Sequence, residues 1–144
     1  QAGGNFFVSG AYVASDLWDN RLVKANEEDK KFAMEVLKYK WRVGQAARNG
    51  KVKSVASPFP EITGSYTYYQ DLNPESYVVE SPDALEPAAQ GAFTILRYSE
   101  NNLSAGIAYK GNYKTCVLGF PFEAIRTVTE RELLMKAILA FFEH

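Results

Sequence analysis

The stretch that most limits what this chain can become is Asn5 to Asp16, NFFVSGAYVASD. Asn5 to Val8 reads as a short apolar strand with no polar alternation, the pattern of a strand buried on both faces of a parallel sheet. Ser9-Gly10-Ala11 breaks it with three small residues. Ala14-Ser15-Asp16 then offers helix N-cap chemistry ahead of Leu17 and Trp18. Buried strand, tight turn and helix start are the parts of an α/β active-site corner. The expectation is an α/β domain with a mostly parallel central sheet, helices on both faces and an antiparallel extension.

The rest of the inventory limits the chemistry such a corner can carry. At 144 residues the chain is long enough for one domain with a proper core. Sixteen Lys and Arg balance seventeen Asp and Glu, which gives no electrostatic reason to expect nucleic acid as a partner. No apolar run approaches the length of a membrane span. Cys116 is alone, so no disulfide forms within the chain, and the only histidine is His144, the last residue. Zinc sites and Ser-His or Cys-His catalysis therefore have almost nothing to work with, and no cofactor is expected. Ala2-Gly3-Gly4 reads as the C-cap of a helix that should come before it. The expectation is the later part of a larger domain, with an uncovered sheet edge at Asn5–Val8 that pairs with a second copy or a partner chain.

Along the chain, a short helix begins near Ser15, and Asp19-Asn20 and Lys24 to Asn26 read as loop. Asn26 caps a helix over Glu27 to Lys38, with Phe32, Val36 and Tyr39 on its apolar face beside Ala33 and Leu37. Trp41 and Val43 begin a strand, and Asn49-Gly50 is hairpin chemistry that should return it over Lys51 to Ala56. SYTYYQ, residues 65–70, and Tyr77 to Glu80 are β-type runs. Ser81-Pro82-Asp83 and Glu86-Pro87 mark a loop. Ala92–Tyr98, Ala105–Tyr109 and Tyr113–Phe120 read as three strands joined by Glu100-Asn101-Asn102 and Gly111-Asn112. Thr127 with Glu130, or Thr129 with Glu132, caps a final helix running to about Phe142. Its buried stripe is Leu134, Ile138 and Phe141, widened by Leu133, Ala137 and Phe142.

GGNFFVSGAYVASD resembles the strand and elbow of class I glutamine amidotransferase-like domains, where a glycine pair leads into an apolar strand and a nucleophilic cysteine sits at the turn. VLGFPFEAI before a terminal helix resembles the end of that fold, where the last strand delivers a histidine and, two residues on, a glutamate. SGAYVASD, ESPDALEP, RYSENNLSAGIAYKG and GFPFEAIRTVTERELLMKAILAFF together are similar to a domain of large secreted bacterial proteins labelled as xanthan lyases. The resemblance implies a flavodoxin-like or glutamine amidotransferase-like fold. It also implies a secreted or periplasmic setting, other domains of a parent chain as partners, and carbohydrate as a ligand. The motif residues depart from the family. Ala11 stands where the nucleophile belongs, the histidine position falls near Pro121, and only Glu123 remains. A nucleophile needs a base within hydrogen-bond reach, and neither member is present.

The expectation is thus a module without catalytic residues of its own, structural or ligand-binding. The alternative is a polysaccharide lyase or hydrolase with an unfamiliar site, in which a tyrosine base and an arginine that neutralises a uronate would do the work. Four residues stand out as ligand contacts near the corner: Ser9, Tyr12, Asp16 and Glu123. Each has a plainer role. Ser9 can bond the backbone at a crowded turn, Asp16 can serve as a helix N-cap, and Glu123 can pair with Arg126 or Arg131. Tyr66, Tyr68 and Tyr69 could stack on sugars, but alternation divides them between two faces, which favours core packing.

Overall fold

The computed structural model describes residues 3–21 and 26–144. In chain order its elements are β1 (Asn5–Ser9), α1 (Ser15–Trp18), α2 (Glu27–Phe32), β2 (Tyr39–Val43), β3 (Lys51–Ser54), β4 (Ser65–Thr67), β5 (Ala84–Pro87), β6 (Ala92–Tyr98), β7 (Ser104–Lys110), β8 (Lys114–Leu118) and α3 (Val128–Glu143). Six strands form one sheet in the order β1-β8-β7-β6-β3-β4, and β2 with β5 form a second, two-stranded sheet. Gln1, Ala2, Lys24 and Ala25, on which the cap and loop readings partly fall, lie outside the described residues.

The mostly parallel, flavodoxin-like or glutamine amidotransferase-like sheet is overturned. Only β1 and β8 run parallel; β8–β7, β7–β6, β6–β3 and β3–β4 are all antiparallel. A parallel sheet needs repeated strand-helix-strand crossovers, and here consecutive strands mostly return by short turns. The apolar run at residues 5–8 is also not a central strand. β1 is the first strand of its sheet, with β8 on one side. Its apolar side chains divide: Phe7 packs edge-to-face on Phe122 at 5.9 Å, while Phe6 stays 53% exposed. β8, between β1 and β7, is buried on both faces. Cys116 and Leu118 join the cluster that includes Leu134 and Ile138 of α3, and Val117 joins the opposite cluster with Ala14, Ala33 and Leu37.

The Asn49-Gly50 hairpin does not form as expected. β2 pairs with β5, Tyr39 opposite Pro87 and Trp41 opposite Leu85, and not with β3. The chain leaves β2 through Gly44 and Gln45, whose φ of 50° turns it away before any return strand can pair. Asn49 instead bonds Lys51 N through its side chain, and β3 pairs with β4 and β6. Tyr77–Glu80 is not a strand, although Val79 is buried and donates its N–H to Tyr69 O.

Asn26 caps α2 as its sequence suggests, accepting from Glu28 N at 3.0 Å. The helix then widens into a π-helical turn, Ala33–Leu37, that ends at Lys38 with φ 69°. The wider turn puts Ala33 and Leu37 inward and leaves Phe32 exposed and Val36 half-buried. In α3, Leu134, Ala137, Ile138 and Phe141 are buried, whereas Leu133 faces solvent and does not widen the stripe. Thr127 Oγ1 accepts from Glu130 N at 3.1 Å, and Glu130 Oε1 reaches across to Thr67 N at 3.0 Å, so one carboxylate ties the helix start to β4. Thr127→Ala is expected to lower stability by about 1 kcal/mol, the ordinary worth of an N-cap. A chemical-denaturation midpoint left unchanged would contradict it. Tyr66 and Tyr68 are buried, with Tyr68 stacked on Phe120 at 5.0 Å, so neither is free to stack on a sugar.

Candidate functional site

β1 ends at a corner whose shape depends on one residue. After Ser9 and Gly10 the chain turns through Tyr12, with φ 62°, and enters α1. A left-handed backbone at a bulky residue is strained and persists where its surroundings hold it. The residue at the tip of the elbow is thus Tyr12, one position past Ala11. Asp16 N bonds back to Tyr12 O at 3.2 Å, closing the turn.

The N-terminus of α1 is capped from far away in the sequence. Its N-cap position is Ala14, which has no side-chain oxygen to offer. Asp83 supplies it: Oδ2 accepts from Ala14 N at 2.8 Å, Ser15 N at 2.9 Å and Ser15 Oγ at 3.2 Å. Asp83 is fully buried. The segment that carries it is pinned on several sides. Asp83 N donates to Gly119 O at 2.7 Å, Tyr98 Oη donates to Asp83 O at 2.7 Å, and Ala46 N donates to Pro82 O at 2.9 Å. Gly119 permits this approach, since a Cβ there would run into the Asp83 carbonyl.

Burial pushes the Asp83 carboxyl above the usual aspartate range, and its hydrogen bonds to Ser15 and Ala14 pull it back only in part. The second oxygen, Oδ1, has no hydrogen-bond partner. The Trp41 indole N–H lies close enough to the carboxyl to favour its charged form, although neither Nε1 nor Oδ1 makes a hydrogen bond of good geometry.

Beside this carboxylate opens a cleft of about 330 Å³ lined by Tyr12, Ser15, Asp19, Arg21, Gly44, Gln45 and Ser81. Two of these seven, Tyr12 and Gln45, hold left-handed backbones. Gln45 N bonds Ser81 Oγ at 3.2 Å. Arg21 grips Asp19 through Nε–Oδ1 at 2.9 Å and Nη2–Oδ2 at 2.7 Å, and this pairing holds the Asp19 carboxyl below its ordinary pKa. The arginine is largely exposed, so the pair orders the rim more than it stabilises the fold.

Of the four residues singled out from sequence, Tyr12 lines the cleft. Ser9 Oγ accepts from Phe122 N at 3.2 Å, a backbone-satisfying role at the strand end. Asp16 is exposed in the first turn of α1, and the capping carboxylate is Asp83 instead. Glu123 is exposed and accepts from Tyr77 Oη at 2.6 Å. Asp16, Tyr12 and Glu123 line no common cavity among those found. Asp83 and Ser81 escape sequence reasoning because Ser-Pro-Asp has the composition of a solvent loop.

Cys116 is fully buried and burial raises its thiol pKa far above the ordinary value. A thiol reagent is therefore expected to label it only after denaturation; rapid labelling of the native protein would contradict the buried strand. Among the described residues no group of three or more His, Cys, Asp or Glu side chains is placed to hold a metal ion. None of their helices is long and apolar enough to cross a membrane. Comparison with protein-family models, curated proteins and solved structures finds no match for the chain.

Proposed function

We propose that this protein is a non-catalytic binding module of a larger secreted protein, receiving a small hydroxyl-rich ligand such as a carbohydrate in the cleft beside Tyr12. The observation that carries the reading is the placement of Asp83. Its carboxylate occupies the two N–H groups, Ala14 and Ser15, that would otherwise favour an anion at the elbow. With those donors taken, Ala14 and Ser15 cannot serve as an oxyanion hole for an acyl transfer. Ala11 supplies no nucleophile, Cys116 is buried in β8, and the sole imidazole is that of His144. What remains is a polar cleft with hydroxyl, amide and carboxylate groups and one aromatic rim residue, the chemistry that recognises hydroxyls.

The test is an amide-resolved NMR titration with methyl α-glucoside, paired with a glutamine hydrolysis assay. The expected result is saturable shifts at Tyr12, Ser15 and Gln45 and no ammonia above a buffer blank. Ammonia release abolished by Cys116→Ser, or a titration that leaves the cleft amides unmoved, would overturn it.

One observation favours the lyase alternative: Tyr12 and Arg21, a phenol and a guanidinium, border the same cleft. Against it, Asp19 already holds Arg21 in a two-point grip, so a uronate would have to displace that carboxylate. Release of unsaturated sugar from an acidic polysaccharide, lost in Tyr12→Phe, would establish it.

The groove at the start of the sheet, about 360 Å³ and bordered by Phe6, Phe32, Val36 and Tyr113, is where the module would sit against another domain or a second copy. If so, Phe6→Glu should lower the apparent mass in light scattering at high protein concentration. A wild-type protein monomeric throughout that range would argue against it.

A further inference from the structure

Away from the Tyr12 cleft, and sharing no lining residue with it, we propose a second site that takes a doubly charged oxyanion, phosphate or a phosphate monoester, between the two-stranded sheet and the β6–β7 pair. The space is a cleft of about 450 Å³, larger than the one beside Tyr12. Its charged lining is Lys40 and Arg42 of β2, Glu86 of β5 and Arg97 of β6. Three cations thus share the cleft with one carboxylate, a local excess of positive charge on a chain whose net charge is −1. Glu86 is already divided between two of them: Oε1 pairs with Arg42 Nη1 at 2.7 Å and Oε2 with Lys40 Nζ at 3.6 Å. Arg97 makes no ion pair among the described residues. Its Nη1 donates to a carbonyl instead, Asn102 O at 2.8 Å, at a residue held in the left-handed region with φ 64°.

An irregularity in the sheet brings Arg97 to this cleft. Thr94 pairs with Ile107, Leu96 with Gly106 and Arg97 with Ser104, so the two strands slip out of register twice within four residues. Residues three apart on a regular strand point to opposite faces. Here the slip turns both Ile95 and Leu96 inward and leaves Thr94 and Arg97 lining the same cleft, the kind of re-aiming that bulges produce. The hydroxyls beside Arg97 have spent their protons: Thr94 Oγ1 donates to Ser104 Oγ at 3.2 Å, and Ser104 Oγ donates to Gly106 O at 3.4 Å. The donors left over are guanidinium and ammonium N–H groups, which call for a ligand that only accepts. A neutral sugar hydroxyl would leave the excess charge uncompensated, and a carboxylate would cancel one unit of it. A phosphate monoester brings close to two negative charges at neutral pH and three acceptor oxygens, enough to meet all three cations.

The test is a titration with inorganic phosphate at neutral pH and constant ionic strength, followed by NMR of the backbone amides and the arginine side chains. The expected result is saturable shifts at Arg97 and Ser104 and none at Tyr12 or Gln45, with acetate binding about tenfold more weakly or worse. Charge changes should move the affinity in opposite directions. Arg97→Gln and Lys40→Gln should each weaken phosphate binding by about fivefold or more, and Glu86→Gln, which frees two cations, should tighten it. A purely structural role would not give opposite signs, and Lys40 is exposed enough to be replaced without disturbing the fold. Shifts that never saturate, or that appear equally at lysines elsewhere on the surface, would mean an adventitious ion only. Acetate binding as tightly as phosphate would make this a carboxylate site, and Glu86→Gln binding no tighter than wild type would remove the charge excess as its basis; either overturns the proposal. Glucose 6-phosphate separates the two sources of the anion. Binding at least as tight as that of inorganic phosphate makes the anion one end of an esterified ligand, weaker binding makes it the free ion, and both outcomes support the site.

Discussion

Asp83→Ala is expected to be among the most damaging single changes in the chain, costing about 3–5 kcal/mol. The substitution strips the acceptor from two buried backbone N–H groups and a buried serine hydroxyl. Each buried donor left unsatisfied costs about 1–3 kcal/mol, and the relief of removing a buried charge offsets part of the sum. Asp83→Asn keeps a carbonyl oxygen in place and should lose far less. The pair also yields a pH test with a definite sign. Burial raises the folded-state pKa of Asp83 above its unfolded value. The contribution of its carboxyl is therefore fully present below the unfolded pKa and lost as pH rises through the folded one. Relative to Asp83→Asn, the wild type should gain stability between pH 7 and about pH 4. Urea unfolding of both proteins at the two pH values would show it, and a wild type that loses ground on acidification would contradict the assignment.

Leu134→Ala is expected to cost about 2–5 kcal/mol, the range for truncating a core leucine whose surroundings cannot collapse. Leu134 is fully buried and shares a cluster with Cys116, Leu118, Phe120 and Ile138. The loss should appear as a lower denaturant midpoint with little change in slope. Leu133→Ala, one residue away on the exposed side, is the control and should change stability by about 0.5 kcal/mol or less. Equal effects from the two would mean that the helix presents a different face.

What the sequence made legible was whatever neighbouring residues decide among themselves. β6 spans Ala92–Tyr98 as expected, because Glu100 to Asn102 and Gly111-Asn112 close both ends of the meander locally. α3 starts at Thr127 because a threonine and a glutamate three residues on satisfy one helix end without outside help. Pairings between distant segments left no such mark. Nothing in Trp41 to Val43 announces Ala84 to Pro87 as its partner strand in preference to the nearer Lys51 to Ser54. The apolar run at Phe6 to Val8 records that those side chains avoid water, but not whether one strand or two flank them. The site shows the same division. The elbow was visible at Ser9 to Asp16, since small residues and a helix start are local signals. Its capping carboxylate was not: a buried aspartate and a solvent-loop aspartate carry the same letter, and only the closure of residues 14 and 83 distinguishes them.

The pairing of the first strand with the last sets the order in which this protein can be completed as it is made. β1 finds its hydrogen-bond partners at Lys114 to Leu118. During synthesis at about 5–20 residues per second, Phe6, Phe7 and Val8 leave the ribosome several seconds or more before the strand that receives them exists. The antiparallel β6–β7–β8 meander can assemble from contacts close in sequence, whereas β1 must wait for it and close a loop of roughly a hundred residues. The nascent chain therefore carries an unclaimed aromatic segment at Phe6 and Phe7 for as long as the roughly hundred residues that separate β1 from β8 take to emerge.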